Sequence, residues 1–251
     1  MNWGRNSFFV FALMFLFTST YASKDLAGDT FLKNGNYKKA IEAYESVVQE
    51  GYIGHELFFN LGTAYSKIGN VSQSILNFEK ALRLSPLDKA TKEQLMQLNI
   101  KLQDKPSIYE DTGLLAFIKK VQFALSIDAW AFLSVFWMVM FAAVIFLAYK
   151  FQQWKVRKWL FLSSIVWFIL SGFTLLMARN NYHARYLHTE GIVNKESIKV
   201  FNQSNLNSSI LFNLHLGTKV EIDDSTSSLY HIEFAEKSGW ISMQDVQKIE
   251  L

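Results

Sequence analysis

The sequence predicts a multi-domain membrane protein: an α-helical solenoid of repeats, a two-helix transmembrane hairpin and a small all-β barrel. Three observations carry that prediction. Residues 26–88 match themselves at a spacing of 34 residues, a period that marks stacked helical units. Two uncharged runs of 21 and 20 residues lie past the middle of the chain. Beyond residue 190 the apolar positions alternate in twos, as they do in half-buried strands.

Composition narrows the function classes. The chain has 251 residues, half of them hydrophobic, and only two prolines, so it has room for two small domains. A net charge of +3, with no basic stripe interleaved with aromatics, argues against nucleic acid as a partner. There are no cysteines, which excludes disulfides, thiolate metal sites and cysteine nucleophiles and leaves the redox compartment open.

Residues 1–22, MNWGRNSFFVFALMFLFTSTYA, place Arg5 before an apolar core at 8–17 and small residues before Ala22. That is the layout of a signal peptide cleaved after Ala22, with an uncleaved anchor as the alternative.

Residues 23–105 form the repeat domain, with units at 23–54 and 55–88. Gly28 pairs with Gly62, Phe31 with Tyr65, Gly35 with Gly69, Asn36 with Asn70, Ala40 with Ser74 and Tyr44 with Phe78, each 34 residues on. A glycine inside a helix costs about 0.5–1 kcal/mol relative to alanine. Gly28 and Gly62 therefore read as sites of close helix approach, and Gly35 and Gly69 as turns of positive φ. Gly28, Ala40, Tyr44, Gly62, Tyr65, Phe78 and Ala81, with Pro86 closing the second unit, resemble the tetratricopeptide repeat. Val47 and Tyr52 depart from it in the first unit, at the positions matching Ala81 and Pro86. Residues 89–103 carry Leu95, Leu98 and Leu102 on one face and suit a terminal capping helix. Two repeats and a cap make a small array, so its stability is expected to lean on a neighbour. The resemblance implies a concave groove that binds proteins or peptides, lined by Asp25, Asp29 and Leu32 and by Phe59, Thr63 and Ser66. The acids at 25 and 29 argue against the mode that clamps a terminal carboxylate with basic residues.

Residues 106–128 lead into the membrane. Within them 113–125 place Leu114, Ile118, Val121 and Leu125 on one helical face, which suits either a helix on the membrane surface or an extension of the span. Residues 129–149 and 159–178 are each about 30 Å long as helices, the thickness of a bilayer's hydrocarbon core, with Trp130, Tyr149 and Trp159 near their ends. Four cations in the nine residues 150–158 mark a cytoplasmic loop, although Lys119, Lys120, Arg179 and Arg185 balance them on the other side. The signal peptide breaks that tie, and both flanking domains are expected outside the cytoplasm of a bacterial cell.

Residues 186–251 hold the β module. KVEI (219–222) and LYHIEF (229–234) alternate around the turn-formers DDSTSS, with Gly217 and Gly239 read as turns. GIVNKESIKVFNQ, LHLGTKVEI and SGWISMQDVQKI resemble a bacterial SH3-like domain, with Trp240 either on a binding face or packed at the barrel's edge.

No phosphate-cradling glycine loop, GxSxG or HExxH is present. The five histidines are scattered, and the carboxylates read as surface groups. The sequence names no catalytic residue, metal ligand or cofactor, and a non-enzyme is expected.

The order of signal, repeats, membrane hairpin and SH3-like module resembles the tetratricopeptide membrane proteins of the bacterial aerotolerance operon (the Bat system, BatE-type). That resemblance implies an inner-membrane protein whose partners are other Bat proteins, some with von Willebrand A-type domains, and a link to oxidative or envelope stress. The expected role is a protein-binding scaffold. A peptidoglycan-binding sensor is the alternative, and an auxiliary subunit of a membrane-bound enzyme is a more distant one.

Overall fold

A computed structural model describes residues 27–104, 113–187 and 189–251. The signal-peptide reading and Asp25 lie outside the described residues. Five helices come first: α1 (Ala27–Lys33), α2 (Tyr37–Gln49), α3 (His55–Lys67), α4 (Val71–Leu84) and α5 (Lys89–Asn99). They pair as α1–α2 and α3–α4, with α5 packed on α4.

The helix ends follow from the sequence. The N–H of Asn36 reaches the carbonyl of Phe31 and that of Gly35 the carbonyl of Leu32; Asn70 and Gly69 do the same with Tyr65 and Ser66. This double closure requires a left-handed residue, and Gly35 and Gly69 sit at φ +74° and +79°. The Asn70 side chain then caps α4 through the N–H of Gln73, and Asp88 caps α5 through that of Thr91.

Helix α6 (Gly113–Gln122) leads through a short elbow to α7 (Ile127–Lys150), which is capped by Ser126, and α8 (Trp154–Tyr182) runs back beside it. Both α7 and α8 are long and apolar enough to cross a membrane. The Ser134 hydroxyl donates to the Ser171 carbonyl at 3.2 Å and the Ser171 hydroxyl to the Ser134 carbonyl at 3.0 Å. Trp137 stacks on Trp167 with ring centres 5.2 Å apart. The connection between the two helices is only 151–153. Lys155, Arg157 and Lys158 belong to the first turns of α8 rather than to a loop, with Arg157 over the Trp154 ring.

A π-helical turn (His183–Leu187) ends α8 and leads to β1 (Glu190–Val193), β2 (Ser197–Phe201), β3 (Ile210–His215), β4 (Lys219–Ser225), β5 (Leu229–Phe234), β6 (Lys237–Ser242) and β7 (Val246–Lys248). These form one antiparallel sheet in the order β3-β2-β6-β5-β4-β1-β7. Its core is Val193, Ile198, Val200, Leu214, Val220, Ile232, Ile241 and Val246. Gly217 sits at a positive-φ turn as expected, but Gly239 does not mark a turn. It lies inside β6, where a Cβ would stand 2.5 Å from Val200 and 2.9 Å from the Phe201 carbonyl, so the glycine lets β6 approach β2. Ala235 and Glu236 make the β5–β6 turn with φ +48° and +65°.

Candidate functional site

The glycine pair at the 34-residue spacing does one job in both repeats. A Cβ on Gly28 would lie 2.5 Å from the Tyr44 ring, and one on Gly62 would lie 2.9 Å from the Phe78 ring. Each aromatic fills the space that its glycine leaves, and Ala40, Tyr44, Phe78 and Ala81 are fully buried. Ser74 adds a bond that its partner Ala40 cannot make: its hydroxyl donates to the Gly62 carbonyl at 2.8 Å. Pro86 follows α4 in the turn that leads to α5.

Of the residues expected to line the groove, Asp29 and Leu32 stand on α1 and Phe59, Thr63 and Ser66 on α3. Asp29 is a tie between helices. It accepts from the Tyr44 hydroxyl at 2.6 Å and from Asn60 Nδ2 at 3.1 Å, joining α1 to α2 and α3. Burial, with Asp29 adding to it, raises the Tyr44 phenol well above its ordinary range. Tyr65 donates to Glu45, and its phenol is raised for the same reasons, burial first. Leu32 packs against the core of the first repeat. Phe59 is half-buried between His55 and Phe78, with ring centres at 6.1 and 5.6 Å. Thr63 spends its hydroxyl on the Phe59 carbonyl of its own helix, and Ser66 is half-exposed. Of the expected groove residues that are described, Asp29 is the one carboxylate, and it is already bonded.

The sequence did not reveal where the β module sits: it docks on α4 and α5. Ile75, Leu76 and Phe78 of α4, Leu95 and Leu98 of α5, Ile192 of β1 and Ile249 form a single core. Gly217, at φ +84°, brings the β3–β4 turn so close that a Cβ there would lie 2.8 Å from Leu102 and 3.1 Å from Ile75. Polar bonds frame the contact. Lys219 Nζ bridges Glu79 at 2.9 Å and Glu190 at 3.0 Å, and Arg83 donates to Glu190 at 3.0 Å and to the Ile249 carbonyl. Asp104 takes the His215 N–H at 2.6 Å, the Thr218 hydroxyl at 2.9 Å and a contact with His215 Nδ1 at 3.0 Å. Gln73 donates to Gln247 at 2.7 Å.

The expectation that the carboxylates are surface groups fails here, because Glu79 is only 9 % exposed and Glu190 is held between two cations. Burial pushes the Glu190 carboxyl up, but Lys219 and Arg83 together outweigh it and hold it below the usual carboxylate range. The Lys219 ammonium is raised by Glu79 and Glu190 against its own burial. These are structural ion pairs. Among the described residues no group of three or more metal-ligating side chains is assembled.

The burial of α4 shows why so small an array needs this contact. Ser72, Ser74, Ile75, Leu76, Asn77, Phe78, Glu79 and Ala81 of α4 are all buried. A helix covered all round needs neighbours on every side, and two repeats cannot supply them. Trp240, the candidate face of the β module, is half-buried with its ring centre 5.0 Å from that of His231. Asp223 holds the His231 ring at 2.7 Å.

Comparison with known proteins identifies tetratricopeptide repeats at residues 22–49 and 55–86, the segments of α1–α2 and α3–α4. No curated protein matches the chain. Tetratricopeptide repeats are protein-interaction units, and that is the role the repeats point to in this chain.

Proposed function

We propose that this chain is a non-enzymatic, membrane-anchored adaptor: the repeats grip a protein partner, the apolar hairpin anchors, and the β module braces the repeats. One observation carries the reading. The repeats and the sheet share a core and an ion-pair chain at the open end of the hairpin, which supports two modules that act as a single body on one side of a bilayer. The face between α1 and α3 is where the partner is expected to bind.

The finer parts rest on resemblance. The antiparallel sheet supports an SH3-like barrel, and the order of modules supports membership of the aerotolerance-operon proteins, with extracytoplasmic domains and von Willebrand A-type partners. Affinity purification of the tagged chain from membranes is expected to bring down a defined membrane partner, and Leu32→Glu with Ser66→Glu in the groove to release it. Recovery of no partner, or of one indifferent to both changes, contradicts the adaptor reading. Sedimentation of the chain with purified cell wall tests the sensor alternative.

A further inference from the structure

We propose that the cavity at the open end of the apolar hairpin is a headgroup site for an aminophospholipid, a lipid carrying a phosphate and a primary ammonium. The proposal rests on the membrane-anchored reading above.

The cavity has a volume of about 570 Å³, within the ordinary range of small-ligand sites. Its walls differ in kind. One carries the ion-pair chain of Glu79, Arg83, Glu190 and Lys219; the other is the apolar elbow of Phe123, Ala124, Leu125 and Ile127. It sits where α7 begins at its Ser126 cap and α8 ends at Asn181, with Arg185 in the π-helical turn that follows. For a hairpin that crosses a bilayer, this is headgroup level. The elbow is fixed there: the Trp130 indole donates to the Gln122 carbonyl at 2.9 Å, and Asn181 Nδ2 to the same carbonyl at 2.7 Å. Helix α6, which enters the elbow, leaves Leu114, Phe117 and Ile118 exposed in one row, as a helix lying in the interface does.

Three features select the lipid. The lining carries three carboxylates (Glu79, Asp88, Glu190) and three cations (Arg83, Arg185, Lys219). Their formal charges cancel, so no net field favours an anionic lipid. The Arg185 guanidinium spends Nε on the Arg83 carbonyl and Nη2 on the Leu84 carbonyl. That closes the C-terminal end of α4 and leaves, of its five donors, enough for a phosphate oxygen. Asn181 is 5 % exposed, and its Oδ1 is buried with no hydrogen-bond partner among the described residues. A buried acceptor of this kind calls for a donor. An ethanolamine ammonium brings N–H donors and a choline headgroup brings none. A glycerol headgroup brings hydroxyl donors but leaves its phosphate charge unbalanced in a lining whose own charges cancel.

The test uses the full chain in phosphatidylcholine nanodiscs doped with equal fractions of phosphatidylethanolamine and phosphatidylglycerol, with native mass spectrometry of the lipids that stay bound. The ethanolamine lipid is expected to be retained about tenfold over the other two. Asn181→Leu and Arg185→Gln are expected to erase that preference. Ala124→Trp, which fills the cavity and leaves every polar group in place, is expected to erase it too. Equal retention of the three lipids by the unmodified chain overturns the proposal, and so does preference for phosphatidylglycerol. Carbonate extraction run alongside separates the two readings. A chain released by carbonate contradicts membrane anchoring itself, whereas one that stays bound without headgroup preference contradicts only the site.

Discussion

Asp104, just past the last helix of the repeat domain, binds His215 at the end of β3 through both the backbone N–H, at 2.6 Å, and the ring Nδ1, at 3.0 Å. The residues are 111 apart in sequence, and the carboxylate also takes the Thr218 hydroxyl. One side chain thus clips the β3–β4 turn to the repeat array. Asp104→Asn keeps the shape and loses the charge, and it is expected to destabilise the full chain by about 1–3 kcal/mol, read as a lower thermal midpoint in detergent. An unchanged midpoint would show that the clip contributes nothing.

The same clip sets a pH dependence. Burial pushes the Asp104 carboxyl up, but hydrogen bonds from the His215 ring and N–H and from Thr218 outweigh it and leave it below its ordinary range. A group depressed in the folded state adds stability above its unfolded pKa, about 3.9 for an aspartate, and loses it as pH falls through the lower folded value. Glu190 has the same sign. The thermal midpoint is therefore expected to fall on acidification below about pH 4, and Asp104→Asn to flatten part of that slope. A variant with the full acid slope would exclude Asp104 as a source.

Lys219 is the hub of the buried ionic chain, touching Glu79 and Glu190. Lys219→Met takes the cation that Glu79 and Glu190 share and leaves Glu190 with Arg83. Full loss of a buried partner costs about 3–5 kcal/mol; Lys219 is 31 % exposed along its side chain, so about 1–3 kcal/mol is expected after screening. Lys219→Met with Glu79→Leu removes charges of both signs and is expected to recover part of the loss in a double-mutant cycle. Additive losses would mean that the pair is not coupled.

Gly62 and Phe78 fit closely in the second repeat. A methyl group at position 62 meets the ring at 2.9 Å, so Gly62→Ala is expected to cost about 1–3 kcal/mol and Gly62→Leu at least as much, by overpacking. Trimming the ring in Gly62→Ala/Phe78→Leu should make the two changes less than additive. A melt in which Gly62→Ala stays at the parent midpoint would refute the packing role.

In the hairpin, Ser134 and Ser171 exchange hydrogen bonds to each other's carbonyls. Bonds of this kind between membrane helices average about 0.6 kcal/mol and reach about 1.7. Ser171→Ala is expected to lower the detergent-unfolding midpoint of the hairpin only slightly. A collapse of the hairpin would mean that these serines do more than join two helices.

The internal period was legible because both repeats repeat their own chemistry. Gly28 with Tyr44 and Gly62 with Phe78 are the same contact written twice, and the turns at Gly35 and Gly69 follow from the same self-match. The two long apolar helices were legible from length and lack of charge. The interface was not. Glu79 is one of the carboxylates that read as surface groups, and its partner Lys219 lies 140 residues downstream, as Glu190 lies 107 beyond Arg83. No local pattern links such positions. Asp29 stands at a groove position by the repeat pattern, and its bonds to Tyr44 and Asn60 could not be read from the sequence. Gly239 read as a turn because glycine most often punctuates, whereas here it allows one strand to lie close on another.

The central claim is that repeats and β module form one body. The natural absence of cysteine makes a direct measurement clean. Gln73→Cys and Gln247→Cys, whose native side chains meet at 2.7 Å, would be introduced together in the full chain, with a protease site placed between residues 105 and 112. A short bismaleimide is applied to intact membranes and the chain is then cut and denatured. If the modules share a core, the two fragments remain joined, and each single-cysteine control separates. Fragments that separate in the double variant, while both cysteines react fully with a monofunctional maleimide, would contradict the account.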